Sequence, residues 1–218
     1  VTDSPWSPPR RRRGPRSSGR IIEIVTVLLL AAATVGSAWS AYQVAQWNGV
    51  DTDEARASAA FRLEASQEYL LATQLVSYDA SAVAQYSQAV ATESEELQEF
   101  LLESIVRPGF RPVLERWREQ YQAGETPTNL LEDEVYLEEL FAPSLELDEE
   151  AAAATQRSEE ASSNADGYVQ LTLFFASALF FGGITASFRT RLPKVILLTA
   201  SAVTLGAATA LMLGYPVA

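Results

Sequence analysis

The residues that most often do chemistry are scarce in this 218-residue chain, which has no cysteine and no histidine. That removes thiolate nucleophiles, disulfides, histidine-based triads and the common zinc, copper and haem sites. Carboxylates remain. Asp51-Thr52-Asp53-Glu54 opens like a calcium loop, but the sixth position is not glycine and the twelfth, Arg62, is not an acid. Glu132-Asp133-Glu134 and Asp148-Glu149-Glu150 could gather divalent cations loosely, although a solvated acidic face explains them more simply. Paired carboxylates for glycoside hydrolysis need a cleft, which a thin helical bundle seldom supplies. Gln67 and Gln74 could line a small-ligand pocket or bond between helices. No phosphate-loop, dinucleotide or nucleophile motif occurs. The expectation is a protein that is not an enzyme, with no catalytic, cofactor or metal residues.

The elements around these residues are dominated by apolar runs. Residues 168–188 carry no charge and are long enough to cross a bilayer as a helix of about 20 residues. The basic turn 189–194 follows, then a second apolar run over 195–215, so the two make an antiparallel hairpin. Residues 21–41 form an earlier span. Glu23 in its first turn is the one ionisable group near hydrocarbon, placed to pair with Arg20 at the interface. Trp39, Tyr42 and Trp47, with Tyr168 and Tyr215 at the matching ends of the other spans, read as interfacial anchors. Small residues recur at spacings of four: Ala32, Gly36 and Ser40; Ala178, Gly182 and Ala186; Ala202, Gly206, Ala210 and Gly214. Such stripes let membrane helices approach closely, within one chain or between copies.

Charge sets the orientation. The acids concentrate between Asp51 and Asp166, where seven bases face 26 acids for a net −19. The basic residues gather in the tail before Ile21 and in the 189–194 turn. By the positive-inside rule both are cytoplasmic. Residues 1–20, rich in Pro, Gly and Arg, are expected to be a disordered tail attracted to anionic lipid, and the first span a retained anchor. Residues 42–167 are then an acidic extracytoplasmic domain unsuited to nucleic acid, and 216–218 also lie outside. The expected location is the plasma (inner) membrane.

The 42–167 segment reads as helical throughout. A first helix runs on from the membrane, with a kink at Asn48-Gly49, to about Tyr78. Its apolar positions include Ala60, Leu63, Leu70 and Leu71, with Gln67 and Gln74 among them. Asp79-Ala80-Ser81 reads as a capping turn. A second helix over 81–106 places Val83, Val90 and Leu97 seven apart, with Tyr86 and Leu101 on that face. The 107–112 segment breaks it, and Pro112 begins a third helix carrying Leu114, Trp117 and Tyr121, which Gly124 stops. Asn129 with Glu132 resembles a capping box for a short helix to Phe141, before Pro143. Leu147, Ala151, Ala154, Ser158, Ala161, Ala165 and Tyr168 then recur at 4-3 spacing, a small-residue seam running into the second span. The fold class is an all-α membrane protein, with three transmembrane helices and a helical bundle built on extensions of spans one and two.

The junction Ser163-Asn164-Ala165-Asp166-Gly167-Tyr168-Val169, with Leu173-Phe174-Phe175-Ala176 and Leu179-Phe180-Phe181-Gly182-Gly183-Ile184, resembles an uncharacterised bacterial three-span membrane-protein family. The Ala41-Tyr42-Gln43, Trp47-Asn48-Gly49 and Phe110-Arg111-Pro112 segments fit the same pattern. The resemblance implies the N-terminal span, outer helical domain and C-terminal hairpin, and no activity. The outer helices are also similar in shape to chemoreceptor ligand-binding domains, with the expected departure that a cytoplasmic signalling module after the spans is lacking. Partners expected are the lipid bilayer and either another protein or a second copy. Interaction or self-assembly through the outer bundle is the first functional expectation. A sensory input role and an accessory role beside a transporter or channel are the alternatives.

Overall fold

The computed structural model describes residues 17–125 and 133–218, with side chains from Arg20 onward. The tail before Ser17 and the Asn129–Glu132 capping box lie outside the described residues. Among the described residues five α-helices follow one another: α1 Ser17–Ala91, α2 Glu95–Ser104, α3 Arg111–Gln122, α4 Glu134–Ile184 and α5 Arg191–Met212. Single 3-10 turns occupy Pro108–Phe110 and Thr185–Ser187. No strand occurs among the described residues. Helices α1, α4 and α5 are each long and apolar enough to cross a membrane. At 22 residues α5 is about 33 Å long, close to a bilayer's hydrocarbon thickness.

The chain divides into two compact units, Val1–Thr52 with Glu159–Ala218, and Asp53–Ser158. In the first, Tyr168, Leu171 and Phe175 of α4 and Ala208 of α5 form the core. Gly36 of α1 meets the Phe175 ring so closely that a Cβ there would lie 2.5 Å from it. In the second, the later part of α1 packs with α2, α3 and the early part of α4 around Tyr86, Leu101, Phe110, Leu114 and Tyr136. The Ser58 and Thr155 hydroxyls bond at 2.8 Å, so α1 and α4 touch through small side chains.

Several expected boundaries are corrected. Helix α1 does not end near Tyr78 but continues through Asp79 to Ala91. Asp79 does not cap its own backbone because its carboxylate is taken by Arg107 and Tyr136. The true break is Thr92–Ser94, so the expected 81–106 helix is two pieces and Leu97 is exposed. Ser94 N–H donates to Ala89 O and Glu93 N–H to Val90 O, a helix-ending turn with Glu93 at φ 52. The same closure ends α3, where Gly124 at φ 73 takes the left-handed position as expected.

Pro143 lies inside α4 rather than after a short helix. An interior proline costs about 3 kcal/mol. Tyr136, Ser144, Ala151 and Ala154, all buried, anchor α4 on both sides of it. Ser144 Oγ donates to Phe141 O at 2.8 Å. The second span ends in the Thr185–Ser187 turn, and Arg191 and Lys194 of the basic turn belong to α5. Pro193 fits there because the first four N–H groups of a helix have no intrahelical acceptor.

The larger correction concerns which face of α1 is inside. Within the 53–158 unit Ser58, Ala65, Ala72, Asp79, Ala82, Tyr86 and Ala89 are buried. Leu63, Leu70 and Leu71 are exposed, and so are Ala60, Gln67 and Gln74. Close contact with α4 leaves room only for small side chains, so the leucines turn outward.

Candidate functional site

Two constellations in the 53–158 unit gather polar side chains from distant positions. The first centres on Asp79, 1% exposed. Arg107 Nε donates to its Oδ1 at 3.0 Å, and the other guanidinium arm forms a second, short bond to Oδ2. Tyr136 Oη donates to Oδ2 at 2.6 Å. Asp79 comes from α1, Arg107 from the turn after α2, and Tyr136 from the first turns of α4. The carboxylate therefore cross-links three segments through a forked, charge-assisted contact. The hydrogen bond to Asp79 raises the Arg107 pKa against the opposing effect of burial. Burial, then the bond to Asp79, pushes the Tyr136 phenol well above its ordinary value. A fully partnered Asp–Arg–Tyr set does structural work.

Neighbouring contacts brace this cluster. Tyr78 Oη donates to Ile105 O at 2.8 Å, and the Phe110 and Tyr136 rings meet edge-on at 5.2 Å. Asp133 caps α4, its Oδ1 accepting from Tyr136 N–H at 3.0 Å. Its Oδ2 meets Arg116 at 2.9 Å. That backbone bond first, and the Arg116 bond second, hold the Asp133 pKa below the carboxylate range.

The second constellation is a cleft of about 670 Å³ at the end of α1 and along α2 and α3. Trp117 and Tyr121 stack there with centroids 5.8 Å apart and planes 5° from parallel. Glu93, Glu95 and Glu99 also line it, with Arg118 as the one basic residue.

The residues singled out from sequence fall differently. Asp51, Asp53 and Glu54 are helical rather than in a loop. Asp53 pairs with Arg56 at 3.1 Å and Glu54 with Arg157 at 2.8 Å. Asp148, Glu149 and Glu150 are exposed along α4 and Glu132 lies outside the described residues. Among the described residues no three acids converge as a metal site. Gln67, Gln74 and Glu23 are exposed.

Of the packing positions, Gly36, Ala178 and Gly182 are buried. Gly182 lies against Leu30, and Ala178 O accepts from Ser201 Oγ at 2.8 Å. Ala186, Ala202, Gly206, Ala210 and Gly214 are exposed. Helix α5 instead buries Ser201 and Ala208. Trp39 and Tyr42 are exposed and Trp47 half-buried. Tyr168 is fully buried against Tyr215. Its hydroxyl and Trp47 Nε1 both donate to Pro216 O. Gly167 sits inside α4, where the Tyr215 ring leaves no room for a Cβ.

Sequence reasoning missed the Asp79 cluster, whose members lie 28 and 57 positions apart. It also missed the cleft, which needs the Thr92–Ser94 turn to exist. The 3-4 spacing of Trp117 and Tyr121 was the available signal. No protein-family model, curated protein or solved structure matches the chain.

Proposed function

We propose that this is a non-enzymatic, three-span protein of the plasma (inner) membrane whose acidic segment, about 42–167, lies extracytoplasmically and pairs with a second copy of the chain. The basic tail and basic turn support that orientation. The outward-facing Ile21, Val27, Leu28 and Val35 of α1 support a lipid environment.

The observation that carries the pairing is the exposed face of α1. Ala60, Leu63, Gln67, Leu70, Gln74 and Ser77 follow one another at 3-4 spacing, and all are exposed. None is charged, in a segment whose net charge is −19. Two copies approaching by their acidic faces would repel; this stripe is a route without that cost. Copies inserted the same way bring like residues together, leucine layers alternating with glutamine layers that set register. Each buried leucine contributes roughly 1.5–3 kcal/mol. Confinement to a membrane raises the effective concentration further.

Because the chain lacks cysteine, the test is clean. Leu70→Cys in native membranes should give a disulfide-linked dimer under mild oxidation, and Leu145→Cys on α4 should not. Equal dimer from both, or none from Leu70→Cys, refutes the pairing. The aromatic–carboxylate cleft favours a second reading, sensory input through a bound ligand.

A further inference from the structure

The cleft beside α2 and α3 has a chemistry of its own. One wall is the Trp117–Tyr121 stack. Tyr86, buried and edge-on to Trp117 at 6.5 Å, braces that wall from behind. Gln98 Nε2 donates to Ala89 O across to the end of α1, tying α2 to that helix end. Glu93 is fixed in its left-handed turn at the rim.

Charge narrows the ligand class. Glu93, Glu95 and Glu99 face one guanidinium, Arg118, and none of the four forms an ion pair among the described residues. A net negative lining disfavours anions. The carboxylates do not converge as a metal site, which disfavours a small hard cation. A pair of stacked aromatic rings beside carboxylates that form no ion pair suits a charge spread over an apolar body, held by attraction to the rings on one side and Coulomb attraction on the other.

We propose that this cleft binds a small organic cation, an amine or quaternary ammonium compound. It uses residues other than the 60–77 stripe, so it stands or falls separately from pairing.

The test titrates the full-length protein, in phosphatidylcholine nanodiscs at fixed ionic strength, with tetraethylammonium. Isothermal calorimetry and tryptophan fluorescence give the readout. One saturable site per chain is expected, with a Kd between about 10 μM and 1 mM. Tyr121→Ala, at an exposed position, should weaken binding about tenfold, and Trp117→Ala at least as much. Glu99→Gln should weaken it severalfold, and Mg²⁺ should not displace the ligand. Absence of saturable binding overturns the proposal. So does unchanged affinity in folded Tyr121→Ala, or displacement by Mg²⁺, which would reveal only a diffuse ion atmosphere on an acidic face.

Discussion

The two units of this chain solve helix packing in different ways. In the unit containing 159–218, helices meet through absent side chains: Gly36 admits the Phe175 ring and Gly167 the Tyr215 ring. Ser201 spends its hydroxyl on Ala178 O rather than its own helix. In the 53–158 unit, small residues bring α1 and α4 together, but a buried charge closes the structure around Asp79. The first arrangement suits lipid, where close van der Waals contact replaces the hydrophobic drive. The second suits water, where a partnered ion fixes one arrangement among segments with modest apolar cores. The units should therefore fail to different substitutions.

The largest difference is expected at the ion cluster. Arg107→Ala leaves the Asp79 carboxylate buried without its counter-charge, a change that costs about 3–5 kcal/mol. Denaturant unfolding of the detergent-solubilised protein, followed by Trp117 fluorescence against a Trp117→Phe background control, should report that loss in the 53–158 unit. An intermediate loss is expected in the other unit. Gly36→Val forces the Phe175 ring aside and should cost about 1–3 kcal/mol by thermal unfolding. Gly206→Ala has open space at its Cβ and should be neutral or stabilising by up to about 1 kcal/mol. A clear loss at Gly206 would mean that another helix covers the Ala202–Gly206–Ala210 stripe.

Titration bounds the 53–158 unit at both ends of the pH scale. Asp133 has a folded pKa below its ordinary 3.8, so its stabilisation is complete above that pH and disappears as pH falls through the folded value. Tyr136 has a folded pKa raised above 10.0, so its contribution is complete below pH 10.0 and is lost as pH climbs toward the folded value. Circular dichroism melts across pH should show both edges, and Tyr136→Phe should remove the alkaline one. A comparably small effect is a gain. Glu93→Gly relieves a left-handed residue and should stabilise the 53–158 unit by up to about 1 kcal/mol, read as a small rise in Tm.

The three long apolar helices were legible because an uncharged run of span length has few alternatives. The interior of the 53–158 unit was less so. Hydrophobicity ranks Leu63 and Leu70 above Ala65 and Ala72, yet the alanines are inside because α1 and α4 approach too closely for leucine. On α4 the same logic was readable, since Ala151, Ala154, Ala161 and Ala165 are aligned without competing leucines, and all four are buried. Asp79-Ala80-Ser81 carried every local mark of a cap, and only the arrival of Arg107 and Tyr136 overrides it. The cleft was invisible for a related reason. It depends on Glu93 accepting a backbone conformation that sequence assigns to glycine.

The pairing of two copies through the exposed face of α1 is tested most directly by counting chains. Native mass spectrometry of the protein released from lipid nanodiscs should find two copies per particle for the wild type. The Leu63→Glu, Leu70→Glu double variant, which alters only exposed positions, should give one copy with an unchanged melting curve. A single copy in the wild type, or two copies persisting in the double variant, would contradict the pairing.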